Sequence, residues 1–192
     1  MDHENYSDPY LREVLTGART IAIVGASPRR GRPSHGVMAY LQRHGYRTIP
    51  VNPNAAGDII HGEKCYASLT DVPEPIDMVD IFRAARYAPA IVEEALALSP
   101  RPQVIWMQLG IRNDEAAVLA EQSGLKVVMN RCPKIEYGRL SSEIAWMGVN
   151  TRTLTAKKAR LFGRGIQRMA LNRVTLTGGA TDAAVRAEKP GR

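Results

Sequence analysis

The run Thr20-Ile21-Ala22-Ile23-Val24 is followed at once by Gly25, and this junction restricts the fold more than any other feature. The five residues show no alternation of apolar and polar positions, which suits a strand buried on both faces, as in a parallel sheet. A glycine directly after such a strand permits a tight turn and a close backbone approach to a phosphate. The helix that follows would then aim its N-terminal amides at that anion.

The rest of the chain repeats this unit. A short helix is expected over 8–16, with Asp8 as N-cap, Pro9 in the first turn and Gly17 at the end. Helical patterns cover about 34–44, 88–98, 114–123 and 134–147. Strand patterns lie at 47–51, 76–81, 103–107 and 125–129. Strands alternating with helices mean βαβ units, hence an α/β fold with a mostly parallel sheet and helices on both faces. Residues 52–75 read as loop, broken by Gly57, Gly62, Pro73 and Pro75.

Composition matters here for what it excludes. At 44% hydrophobic and 23% charged residues, the chain is neither wholly disordered nor collagen-like. No apolar run approaches the ~20 residues that span a bilayer. The polar start Met1-Asp2-His3-Glu4-Asn5 is not a signal peptide, and two cysteines build no disulfide framework, so a cytoplasmic location is expected. The net charge of +7 is unevenly placed: residues 1–138 carry 15 Lys/Arg against 16 Asp/Glu, and residues 139–192 carry 11 against 3. The folded part therefore favours no polyanion, and a nucleic-acid or membrane contact would have to come through the tail. Two segments are expected: a domain over 1–145 and a basic extension over 146–192, with a helix at 156–172 and a disordered end. A packing arm between two copies, as in a homodimer, is a third reading of that extension.

In an open parallel sheet, ligands sit beyond the carboxyl ends of the strands. The first such loop, Gly25-Ala26-Ser27-Pro28-Arg29-Arg30-Gly31-Arg32-Pro33-Ser34, lacks the second glycine of a dinucleotide fingerprint and the Gly-Lys-Ser/Thr of a P-loop. The second strand ends Val51-Asn52-Pro53, without the acid that would hold the ribose of NAD. Residues 25–57 contain no Asp or Glu, but they hold Arg29, Arg30, Arg32, Arg43 and Arg47. That pattern suits a ligand with several phosphates, NADP or coenzyme A, although some of these arginines, Arg43 above all, simply face solvent. Phe82 and Arg83 follow the third strand, where Phe82 is either a wall for the ligand or a core residue. Gln108 and Gly110 follow the fourth. Cys132 follows the fifth, just before a helix. There its thiol pKa would be lowered, making it a partner for a thiol cofactor, unless the cysteine is buried and inert. The four histidines show no metal spacing, no metal site is expected, and no catalytic set emerges; Asp77 and Asp80 would point to opposite faces of one strand.

The runs Ile-Ala-Ile-Val-Gly-Ala-Ser (21–27), Arg-Pro-Ser-His-Gly-Val-Met (32–38) and Gly-Tyr-Arg-Thr-Ile-Pro-Val-Asn-Pro (45–53) resemble the stand-alone CoA-binding domain proteins. These are similar to the N-terminal CoA-binding domain of the succinyl-CoA synthetase α subunit. Ile-Asp-Met-Val-Asp-Ile-Phe-Arg, Val-Ile-Trp-Met-Gln-Leu-Gly and Asn-Arg-Cys-Pro-Lys-Ile-Glu agree in order, so the likeness spans about residues 8–140. The resemblance implies a Rossmann-like, doubly wound, five-stranded sheet of order 3-2-1-4-5 and a coenzyme A or acyl-CoA ligand. By it, Gly25, Ala26 and Ser27 face the diphosphate, and Arg32, Pro33 and Ser34 shape the next helix. Val51, Asn52 and Pro53 border the adenosine, Phe82 and Arg83 lie over the nucleotide, and Gln108 and Gly110 flank the pantetheine. Arg29 and Arg30 are charge candidates independent of it. A full synthetase subunit continues into a domain with a phosphorylated histidine; here none follows His61, so ligase activity is not implied. Binding of a CoA species without catalysis is the leading expectation. An NADP-linked oxidoreductase and a CoA-thiol redox responder acting through Cys132 are the alternatives.

Overall fold

The computed structural model describes residues 1–141. Five parallel strands form one sheet: β1 (Thr20–Val24), β2 (Arg47–Val51), β5 (Met78–Ile81), β6 (Val104–Met107) and β7 (Lys126–Val128), arranged β2-β1-β5-β6-β7. A small antiparallel hairpin, β3 (Ile59–Ile60) with β4 (Glu63–Lys64), interrupts the stretch expected to be loop. The α/β class and the five-stranded parallel sheet are as expected. The expected 3-2-1-4-5 order differs only in numbering. A single parallel bridge, Val51 to Tyr66, lies on β2, and counting it as the third strand gives 3-2-1-4-5 with β7 sixth.

Alternation along each strand divides the core between two layers. Ile21 and Ile23 of β1, Met78 of β5, Trp106 of β6 and Val128 of β7 face α1 (Asp8–Gly17), α2 (Pro33–Arg43) and α5 (Pro133–Leu140). Ala22, Val24, Val79, Ile81, Ile105, Met107 and Val127 face α3 (Ala88–Leu96) and α4 (Asp114–Gln122). The helices meet the sheet through i, i+3, i+4 stripes: Leu11, Val14 and Leu15 on α1, and Val37, Met38 and Leu41 on α2. All-apolar strands thus correspond to a sheet covered on both faces.

One local reading is corrected. The N-cap of α1 is Ser7, whose Oγ accepts from Tyr10 N at 3.4 Å; Asp8 and Pro9 lie inside the first turn. The last described helix ends at Leu140, and its expected continuation to 147 lies outside the described residues, as do the expected helix at 156–172 and the disordered end. No helix among the described residues is long and apolar enough to cross a membrane.

Candidate functional site

Parallel strands put all their carboxyl ends on one edge, so the loops after β1, β2, β5, β6 and β7 converge there. The first three are tied together by backbone. Gly25 N donates to Val51 O at 2.8 Å, and Phe82 N donates to Val24 O at 2.8 Å. Asn52 donates from Nδ2 to Ala26 O at 2.7 Å and accepts from Asn54 N at 3.0 Å, so one side chain sets the turns after both β1 and β2. Gly25 has φ +88°, and a Cβ there would lie 3.1 Å from Arg83 Cδ. A side chain there would be strained by the left-handed backbone and would have to push the arginine stem aside. Gly25, Ala26, Val51, Asn52, Phe82 and Arg83 are therefore brought into one cluster. Phe82 is half-buried against the core, directly after β5 at this edge.

The loop from Ser27 to Arg32 folds back on itself: Ser27 Oγ accepts from Arg29 N at 3.3 Å, and Arg32 N donates to Arg29 O at 3.0 Å. It delivers the chain to α2, where Arg32 is the N-cap and Pro33 the first helical residue. No side chain caps this helix, and its first turn has no acid. Ser34 is buried beneath that turn, whereas Arg29, Arg30, Arg32 and Pro53 are exposed.

The arginines sort by position. Arg47 stands at the start of β2, away from the ligand edge, and is held by Glu63 and by Glu74 at 2.8 Å. Both carboxylates raise its pKa. It is therefore no part of the site, and Arg43 is exposed near the end of α2. Arg29, Arg30, Arg32, Arg83 and Arg86 form no ion pair among the described residues. Arg83 and Arg86 lie 4.8 and 4.6 Å from the centroid of the Tyr87 ring, and the adjacent cations pull the Tyr87 hydroxyl pKa down, the Arg86 hydrogen bond most of all. Tyr87 is a site-edge residue the sequence reading passed over.

The second half of the edge is built differently. Gln108 directly follows β6, keeps only 6% of its surface exposed, and places its amide 3.0 and 2.9 Å from the two oxygens of Asp80. Gly110, at φ +76°, gives its N–H to Asn130 Oδ1 at 2.8 Å, and Asn130 itself has φ +52°. Cys132 is the N-cap of α5 and is 6% exposed. The expected lowering of its thiol pKa is overturned: burial, the largest effect, pushes it up to about 11, and the helix N-terminal amides offset this only in part. Gln108, Gly110 and Cys132 thus share the edge with the first cluster but are held by other partners. His35 and His61 pair at 3.0 Å between ring nitrogens. No three of His, Cys, Asp and Glu gather so as to hold a metal ion among the described residues.

Comparison with known proteins bears directly on this edge. The profile of the family described as CoA binding domain matches residues 19–138, which contain every loop just named. An uncharacterized protein of Bacillus subtilis, YneT, is 37% identical over 134 residues, covering 70% of this chain and 96% of that protein. An ADP-forming acetate–CoA ligase (II) of Archaeoglobus fulgidus is 35% identical over 92 residues, covering 47% of this chain and 13% of the ligase. The structure of a hypothetical protein from Pyrococcus horikoshii superposes with a TM-score of 0.67 at 39% identity, over 72% of this chain and 94% of that one.

Proposed function

The chain belongs to the CoA binding domain family, and from that premise we propose that it binds coenzyme A or an acyl-CoA across the carboxyl ends of its parallel strands. One observation carries the reading: Gly25, Asn52 and Arg83 converge on a turn whose left-handed centre strains any side chain, beside arginines that have no carboxylate partner among the described residues. The diphosphate lies over Gly25, Ala26 and Ser27, facing the uncapped start of α2 at Arg32, Pro33 and Ser34. Val51, Asn52 and Pro53 border the adenosine. Phe82 and Arg83 lie over the nucleotide, and the guanidinium groups answer the phosphates. Gln108 and Gly110 flank the pantetheine, with Cys132 beneath them.

Binding rather than ligation is the activity proposed. In the matched acetate–CoA ligase this region is 13% of the protein, so the ligase reaction draws on a much longer chain. No observation favours the redox reading of Cys132, whose thiol is both buried and hard to ionise.

The test is to denature the freshly purified full chain and identify released small molecules by mass spectrometry. Release of CoA or an acyl-CoA in near-stoichiometric amount is the expected outcome, and it would name the acyl group. Release of NADP, or failure of the protein to take up added CoA at physiological salt, would overturn the proposal.

A further inference from the structure

The loop after β5 concentrates positive charge on a fixed base. Phe82 N donates to Val24 O at 2.8 Å, and Tyr87 N donates to Ala84 O at 2.9 Å. Asn113 donates from Nδ2 to Ala85 O at 3.1 Å, which anchors the single helical turn Ala85–Tyr87. Ala88, the first residue of α3, is fully buried. On this base stands Tyr87, with 39% of its surface exposed. Two guanidinium groups lie over its ring, that of Arg83 at 4.8 Å and that of Arg86 at 4.6 Å, and Arg86 Nη2 also donates to the Tyr87 hydroxyl at 3.1 Å. Neither arginine pairs with a carboxylate among the described residues. Two like charges therefore share one aromatic platform without a counter-charge, an arrangement whose repulsion an anion would relieve. The stem of Arg83 passes beside Gly25 on its way to the ring.

We propose that Arg83, Tyr87 and Arg86 form a second anion site, which takes a phosphate monoester separate from the diphosphate: the 3′-phosphate of coenzyme A. The inference rests on the CoA-binding reading and deepens it. α2 and α3 cover opposite faces of the sheet, so the loops that lead into them leave the ligand edge in opposite directions. A diphosphate over Gly25, Ala26 and Ser27 faces the α2 side. The guanidinium pair stands on the α3 side, one arginine stem away from Gly25. A ligand with a single phosphate group would engage one of these places and leave the other empty. Coenzyme A carries a 5′-diphosphate and a 3′-phosphate on one ribose, and so can meet both. A phosphate monoester approaches two negative charges at neutral pH, which matches two guanidinium groups. Its terminal oxygens accept from their forked N–H groups. Tyr87 is the positioning residue: its ring holds both cationic heads in place before the ligand arrives, so less side-chain freedom is lost on binding.

The experiment compares two ligands on the full chain by calorimetric titration: CoA, and dephospho-CoA, which lacks only the 3′-phosphate. Wild-type protein is expected to bind CoA roughly tenfold more tightly, the worth of one hydrogen bond to a charged group. Arg86→Gln and Tyr87→Leu are expected to erase that preference by weakening CoA alone. Tyr87→Phe keeps the ring under both cations and is expected to retain most of it. A merely structural role for these exposed residues would move both ligands alike. Equal wild-type affinity for the two ligands overturns the inference, and needs no variant to fold. A preference that survives both Arg86→Gln and Tyr87→Leu, or an equal loss for both ligands, overturns it as well; each of these results leaves CoA binding standing. Wild-type protein that binds neither ligand overturns the functional reading itself, and this inference with it.

Discussion

At the scale of single residues, the sheet carries one group whose charge it cannot tolerate. Because the folded-state pKa of Asp80 lies above its unfolded value, the folded chain holds this proton more tightly. The stabilisation is complete below the ordinary carboxylate range. It is lost as pH rises, since the unfolded chain ionises first. Asp80→Asn removes that slope. Urea unfolding of both proteins at mildly acidic and at neutral pH should show the variant gaining stability relative to wild type as pH rises. Gly25 gives a second expectation. Gly25→Ala must adopt φ +88° and push against Arg83, so it should cost about 1–3 kcal/mol in unfolding experiments and weaken CoA in a binding titration. Cys132 gives a third. With its pKa at about 11, about one thiol in ten thousand is ionised at neutral pH. The native protein should resist iodoacetamide at this position, and should label there once unfolded, as read by intact mass.

At the scale of elements, β7 is protected by residues 4–10. β7 is an edge strand, and edges expose unpaired backbone groups. Tyr6 OH accepts from Met129 N at 2.7 Å, and Tyr10 OH donates to Val127 O at 3.1 Å. Arg131 fastens the same segment by donating to Glu4 O at 2.9 Å and lying over the Tyr6 ring. Two side chains thus stand where a sixth hydrogen-bonded strand would. Tyr6→Phe with Tyr10→Phe should lower stability by about 2 kcal/mol in denaturant unfolding and raise self-association in light scattering. None of this is legible in the sequence, because a tyrosine hydroxyl in a polar leader has no periodicity. The major strands are legible because burial on both faces leaves continuous apolar runs, as at Thr20–Val24 and Val104–Met107. The β3–β4 hairpin is not: two-residue strands with Ile59 exposed and His61-Gly62 at the turn carry too little pattern. Gly25 and Asn52 stand out as a strand-end glycine and a missing acid. Asp80 does not, since one acid inside an apolar strand looks like a solvent-facing position until both faces are seen to be covered.

At the scale of the whole molecule, the two halves of the core lie on opposite faces of one sheet. YneT is matched over 96% of its length by the corresponding region, so a natural protein is little more than this unit. We propose the boundary at residue 145: the piece 1–145 should unfold cooperatively and bind CoA with the affinity and salt dependence of the full chain. Calorimetric titration at two salt concentrations checks this, and a steeper salt dependence in the full chain would instead give the basic extension a share in binding. The leader held against β7 also has a consequence for synthesis. Its hydroxyl partners are 123 and 117 residues further along the chain. A ribosome releases Tyr6 and Tyr10 well over a hundred residues before their partners, so these contacts close only after β7 has emerged. Tyr6 and Tyr10 therefore act as a late clasp of this sheet, and a nascent chain stalled before β7 leaves β6 as a bare edge with its guard still unattached.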